Sequence, residues 1–318
     1  MAQEHRDYLA ELKGMADTVD YEKHIMPVLL EQVKNWGNGE LLAMPYQPYI
    51  TGVWYNKDLW EEAGLTEQDI PDTWEKLIRV CRKIKNSDSG LSAMTCDEEY
   101  VNLLYGYQLA RYLGQEKVQQ LIRNCTWSQI PQAKEAADDI RILFFAGYMS
   151  QSAPAQHPEG QDEVGDGEAV MVLQGSWVPN EVTEATESDD SWGFFPWPAV
   201  KAGTDGTEGV MVGAQGFGVT KDSQMKQEAF DFAYSICTGE TDMKMTDAVN
   251  SIPADTDNTQ WPEADAVPYM KEMSKPYMWA AGLEADPDYK EQIQSELLKL
   301  TRLEETSDEF IENLSNMK

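Results

Sequence analysis

Basic side chains are scarce in this chain. Its 318 residues carry 25 lysines and arginines against 56 aspartates and glutamates, a formal net charge of −31. A surface of that sign repels nucleic acid and anionic lipid, both polyanions, and excludes them as partners. Solubility is the plain reading of the excess. The acids are spread along the chain and so do not form a disordered acidic tail. Long apolar runs are also missing, and none approaches the roughly 20 residues of a membrane helix. The three histidines, His5, His24 and His157, are too scattered to suggest a metal site. The four cysteines, Cys81, Cys96, Cys125 and Cys237, contain no C-x-x-C pair. That argues against zinc ribbons and redox motifs and leaves them as small buried apolar residues. Cysteine usage does not decide the compartment.

Catalytic motifs are equally wanting. There is no G-x-S-x-G, P-loop or H-E-x-x-H. The glycines of GAQGFG, at 213, 216 and 218, do not make G-x-G-x-x-G. Asp255-Thr-Asp-Asn opens like a calcium loop but lacks its glycine and distal glutamate. Glycoside hydrolysis needs two carboxylates flanking one bond, and no motif singles out such a pair. No metal, cofactor or catalytic residue is expected, and a carbohydrate-active enzyme is the less favoured reading. The opening AQEHRDYLAELKG has no basic segment leading into an apolar one, so no secretory signal is visible. Either the protein is cytoplasmic or its front end is absent from this chain.

What is present is enough for a core, since 42% of residues are hydrophobic. The length suggests roughly two domains of about 150 residues. Ile25, Leu29, Val33 and Trp36 share a helical face over 21–36, closed by Gly37 and Gly39. The next stretch, LLAMPYQPYITGVWYNKDLW, is extended, because Pro45 and Pro48 forbid a helix. Thr73 caps a helix with Trp74, Leu77, Ile78, Cys81 and Ile84 on one face. Further helices are predicted over 98–113, 132–147, 288–303 and 307–316. Residues 150–168 are rich in Pro, Gly and Asp and read as a surface loop. Short strands are predicted at 169–173, 192–198 and 215–219. After Asp222 or Ser223, a helix is lined by Met225, Ala229, Phe232, Ala233 and Ile236 and closed by Gly239. Helices alternating with short buried strands indicate an α/β architecture.

Four segments together resemble the family 1 extracellular solute-binding proteins of ABC importers, which include the maltodextrin-binding proteins. They are MPYQPYITGVWYNKDLWEEAGL (44–65) followed by PDTWEKL (71–77), GEAVMVLQGSWV (167–178), the 192–240 stretch with GVMVGAQGFGVTKDSQMKQEAFDFAYSICTGE, and the C-terminal helix pair. The resemblance implies a two-lobed, type II periplasmic-binding-protein-like α/β fold that closes on a ligand about a hinge. By the same resemblance the chain crosses between lobes near Tyr46–Tyr49, Gly209–Gln215 and Ser251–Ala254. Lobe one then holds 1–49 and 209–253, and lobe two 50–208 and 254–318. Family members open with a signal peptide, often a lipid-anchored cysteine, and a β-α-β region. Their lack here implies that lobe one is incomplete at the N-terminus, and a truncated, non-binding remnant is an alternative reading.

The implied function is capture of a sugar or oligosaccharide outside the cell for ABC-transporter permease subunits, by a monomer that is not an enzyme. Sugars present hydroxyls that need hydrogen bonds and C–H faces that lie on aromatic rings, so the site wants Trp or Tyr beside polar amides. Trp177 of Q-G-S-W is the first candidate, with Gln174 and Ser176 flanking it. Tyr46 and Gln47 fall at the first crossover and Gln215 at the second. Trp279 of PYMWAAG has a core role as its alternative, and Tyr46 hinge packing. Trp54, Trp60 and Trp74 read as core, and Trp192 and Trp197 are left open.

Overall fold

The computed structural model describes residues 6–188, 191–249, 251–259, 261, 265–271 and 275–317. In chain order the helices are α1 (Lys13–Ala16), α2 (Tyr21–His24), α3 (Pro27–Trp36), α4 (Lys57–Glu62), α5 (Trp74–Lys85), α6 (Val101–Leu113), α7 (Gln115–Asn124), α8 (Pro131–Phe145), α9 (Glu159–Gly165), α10 (Val178–Thr186), α11 (Lys226–Cys237), α12 (Gly239–Ala248), α13 (Val267–Lys271), α14 (Pro287–Thr301) and α15 (Ser307–Ser315). The strands are β1 (Met44–Asn56), β2 (Ser92–Thr95), β3 (Ala169–Gly175), β4 (Trp192–Phe195), β5 (Gly209–Phe217) and β6 (Lys275–Tyr277). Two compact units emerge: Met1–Ile50 with Val212–Met270, and Thr51–Met211 with Lys271–Lys318. The chain passes from one to the other within β1 and within β5.

In the first unit, residues 44–50 of β1 pair antiparallel with 212–217 of β5. The register shifts between Tyr46 and Pro48, and Gln47 there takes a left-handed φ of +46°. The helix expected over 21–36 is broken. Met26 is kept out of the helical region by Pro27, and Ile25 before it is extended in its bridge to Asp255. Ile25, Leu29 and Val33 are buried as one face all the same. The face of α11 differs from expectation. Phe230, Ala233 and Cys237 are buried, whereas Met225 and Phe232 are 60% and 63% exposed. Both sides of this helix are apolar, so periodicity alone could not tell which one packs inward.

The third passage also differs from the expected 253/254. Met26 N–H donates to the Ala254 carbonyl, Thr256 N–H to the His24 carbonyl, and Ile25 bridges Asp255. The buried Asp242 carboxylate accepts from the Ala254 and Asp255 amides and from Asn258. These bonds hold residues 254–259 in the first unit. Only from Lys271 onward does the chain belong to the second.

In the second unit, β2 runs parallel to β3, β3 antiparallel to residues 51–55 of β1, and β1 antiparallel to β4. Residues 209–211 of β5 pair parallel with β6. Helix α6 is buried on nearly every side. A helix apolar all round is a core helix, and its polar residues must be paired. Gln108 donates to Asp139 at 2.6 Å and accepts from Trp197 Nε1 at 2.8 Å. The buried Arg111 guanidinium donates to the Trp197 carbonyl at 2.7 Å and to the Tyr277 hydroxyl at 3.2 Å. Trp54, Trp60, Trp74 and Trp197 are all core. The expected loop 150–168 contains α9. Its Gly160 amide donates to the buried Asp97 carboxylate at 2.7 Å, a long-range anchor that local composition does not show.

No helix among the described residues is long and apolar enough to cross a membrane.

Candidate functional site

Strand β3 ends at Gln174-Gly175, and Ser176 and Trp177 make the turn into α10. A Cβ on Gly175 would lie 2.1 Å from the Trp177 ring, so glycine is what lets the indole lie over the strand end. A second ring arrives from the turn after β6. Trp279 opens a 3₁₀ segment, Trp279–Gly282, in which Ala280 and Ala281 have φ of +46° and +54°. That segment is seated against α6 at Gly106, where a Cβ would stand 2.5 Å from the Ala280 carbonyl oxygen. The third ring, Tyr100, ends the 3₁₀ turn leading into α6.

These three half-buried rings meet. Trp177 and Trp279 stack at 6.2 Å between centroids and 28° between planes. Tyr100 lies 6.5 Å from Trp177 and 6.1 Å from Trp279, edge-on to the latter. His157 adds its ring edge to Tyr100 at 5.5 Å. Asp97 orients that imidazole, its carboxylate lying 3.2 Å from Nδ1. Burial raises the Asp97 carboxyl above the usual range, against the opposing pull of His157 and the Gly160 amide. Burial first, then the charges of Glu181, Glu99 and Asp97, pushes the Tyr100 hydroxyl up to about 12. It is a neutral hydrogen-bonding group at physiological pH.

Gln174 is fully buried beneath this face. Its Oε1 accepts from the Gly175 amide at 3.1 Å, and its Nε2 has no well-formed bond. The same carboxamide interacts with the Tyr100 hydroxyl, which links the strand end to the ring above it.

Of the residues singled out from sequence, Trp177, Gln174, Ser176 and Trp279 fall together in the second unit. Tyr46, Gln47 and Gln215 fall together in the first. Tyr46 pairs with Gln215 across the ladder and stacks on Phe217 at 4.4 Å. Gln47 is half-buried and Gln215 exposed. Tyr100 and His157 were not singled out. Tyr100 reads as part of a helix pattern, and His157 sits alone in a loop-like stretch. Two concavities, of about 490 and 450 Å³, lie around α14 and α15 and beside Trp127, and neither is walled by Trp177, Trp279 or Tyr100. They are lined by long surface side chains and carry no comparable convergence of rings.

Among the described residues, one cluster has the spacing of metal ligands. Ligand atoms of His24, Asp255 and Asp257 lie within 4.8 Å of one another. Both Asp255 oxygens already accept backbone amides, from Gly239 and Asp257, and His24 pairs with Asp257 at 2.7 Å. The arrangement works as a loop clasp.

A family model described as bacterial extracellular solute-binding protein matches residues 1–233. The chain is 26% identical over 199 residues to the diacetylchitobiose binding protein NgcE of Streptomyces coelicolor, a match covering 58% of this chain and 40% of that protein. It is 21% identical over 209 residues to a lactose-binding protein of Rhizobium radiobacter, covering 64% of this chain and 47% of the relative. The match thus spans less than half the length of either curated relative. A solved chitin oligosaccharide binding protein superposes with a TM-score of 0.81 at 18% identity, over 97% of this chain and 78% of the other. The structural likeness bears out the α/β, type II binding-protein fold implied by the motifs.

Proposed function

Because this chain belongs to the bacterial extracellular solute-binding proteins, we propose that it captures a di- or oligosaccharide for an ABC importer on the face made by Trp177, Trp279 and Tyr100. One observation carries the reading: three half-exposed aromatic rings from distant parts of the chain converge beside the buried carboxamide of Gln174. Sugar C–H faces lie on such rings, and sugar hydroxyls take the bonds that amides and hydroxyls offer. Diacetylchitobiose, lactose and chitin oligosaccharide, named for the matched proteins, support this ligand class.

Ser176 and the Tyr100 hydroxyl are the hydrogen-bonding groups on this face, with Gln174 beneath them as the third polar group of the site. Tyr46, Gln47 and Gln215 are the ligand contacts of the first unit in the same reading. The permease subunits of the importer are the protein partners, the binding protein acts as a monomer, and the work is done outside the cytoplasm, in the periplasm or at the cell surface. The protein carries no catalysis.

Isothermal titration with a panel of neutral di- to tetrasaccharides tests this. Heat of binding with at least one sugar is expected, together with a shift of tryptophan emission. Silence across the panel overturns the reading.

A further inference from the structure

The polar fringe of the aromatic face is one-sided in charge. The charges acting on the Tyr100 hydroxyl are those of Glu181, Glu99 and Asp97, all acidic. Glu181 stands in the first turn of α10, exposed, one turn beyond Trp177. Its Oε2 accepts from Gln161 Nε2 of α9 at 3.2 Å. Gln161 itself is only 2% exposed, and its Oε1 has no donor. The neighbouring Asp162 also buries an oxygen, Oδ1, without a donor. Asp162 feels the same Glu181 charge and that of His157. The base of this group, His157, is already paired with Asp97. Among the described residues, the carboxylates of Glu181, Glu99 and Asp97 and the undonated oxygens of Gln161 and Asp162 therefore put acceptors and negative charge in excess where α9 and α10 flank the rings.

We infer that this end of the platform selects saccharides by charge, taking amine-bearing sugars best, neutral sugars next and carboxylated sugars worst, with Glu181 setting the order. The inference rests on the saccharide reading above and deepens it. A protonated sugar amine offers donors and a positive charge to the carboxylates. A uronate brings like charge against them, and like charges in juxtaposition are a device of specificity.

The probes are three disaccharides, cellobiose, chitobiose with free amines and cellobiouronic acid, titrated at pH 7 and low salt with tryptophan emission and saturation-transfer NMR as readouts. The amine-bearing disaccharide should bind about three- to five-fold tighter than cellobiose, and cellobiouronic acid weaker by a similar factor, the size of effect that exposed charges give. Both gaps should narrow in about 0.5 M sodium chloride, because exposed charges are screened there. Both should narrow also in Glu181→Gln and further in the Glu99→Gln, Glu181→Gln double variant, with circular dichroism confirming the fold. If the three sugars show no ranking, or none binds, while the neutral panel binds, the charge inference falls and the saccharide reading stands. If the ranking appears but both variants keep it, Glu181 is not its source and the inference falls likewise. If the neutral panel is silent as well, both readings fall together.

Discussion

Trp177 and Trp279 lie 6.2 Å apart in a near-parallel stack, although one follows β3 and the other β6. Neither ring is buried, so the pair spends an aromatic contact at the surface, where it has most use as a platform. Replacing Trp177 or Trp279 by alanine is expected to lower saccharide affinity about ten-fold, some 1.4 kcal/mol, with phenylalanine retaining most of it. Titration calorimetry on each variant checks this. Unchanged affinity in both alanine variants would remove the platform from the site.

Gly106 supports that platform from below. Its missing side chain lets the Ala280 carbonyl approach α6, and a Cβ there would lie 2.5 Å from the oxygen. Gly106→Ala should destabilise the protein by about 1–3 kcal/mol through overpacking. It should also weaken ligand binding, because Trp279 moves with its neighbour. Thermal melts and titration on the same variant test the two effects separately.

Glu305 gives stability a pH dependence. It is 8% exposed, with Oε1 buried and unpaired and Oε2 bonded to Asn313 at 2.9 Å. Burial first, then the Glu296 charge, raises its carboxyl to about 7 from an ordinary 4.5. A carboxyl raised on folding favours the folded state when protonated. Its contribution is complete below pH 4.5 and is lost as pH rises through 7. From pH 6 to pH 8, Glu305 should therefore cost on the order of 1 kcal/mol, allowing for solvent screening. Glu305→Gln should flatten that part of the melting profile. A profile identical to wild type would refute the assignment.

The thiols should be largely silent in the native protein. Cys81, Cys96 and Cys237 are buried and Cys125 is partly exposed. Burial pushes the Cys81 and Cys237 thiols up to about 12 and raises Cys96 as well. Because the thiolate is the reactive form, an aromatic disulfide reagent should titrate Cys125 alone before denaturation and all four cysteines after it. Rapid modification of any second thiol in the folded protein would contradict the burial.

The site was half legible before the fold was known. Trp177 stood out because GEAVMVLQGSWV resembles a motif of the solute-binding family. Tyr100 did not, because DEEYVNLLYGY looks like one more amphipathic helix. It stands at the end of a 3₁₀ turn, Glu98–Tyr100, that the helical pattern conceals. His157 gained its place only through α9 and the buried Asp97, a link between residues 60 apart in sequence. Helix α11 shows the limit of periodicity. Two of its faces are apolar; Ala233 is buried as its spacing implies, but only packing within the first unit chose Phe230 and Cys237 over Met225 and Phe232.

By itself the sequence determined the things that act over a few residues: the acidic surface, the extended run forced by Pro45 and Pro48, the positions of most of the longer helices and of four strands, and the motif order that pointed to the family. The tertiary structure decided which side chains meet. Trp177, Trp279, Tyr100 and His157 belong to four separate segments, and strand register and helix packing alone bring them together. Local propensity reaches across a turn, whereas a site of this kind is made by contacts between residues that the chain itself holds far apart.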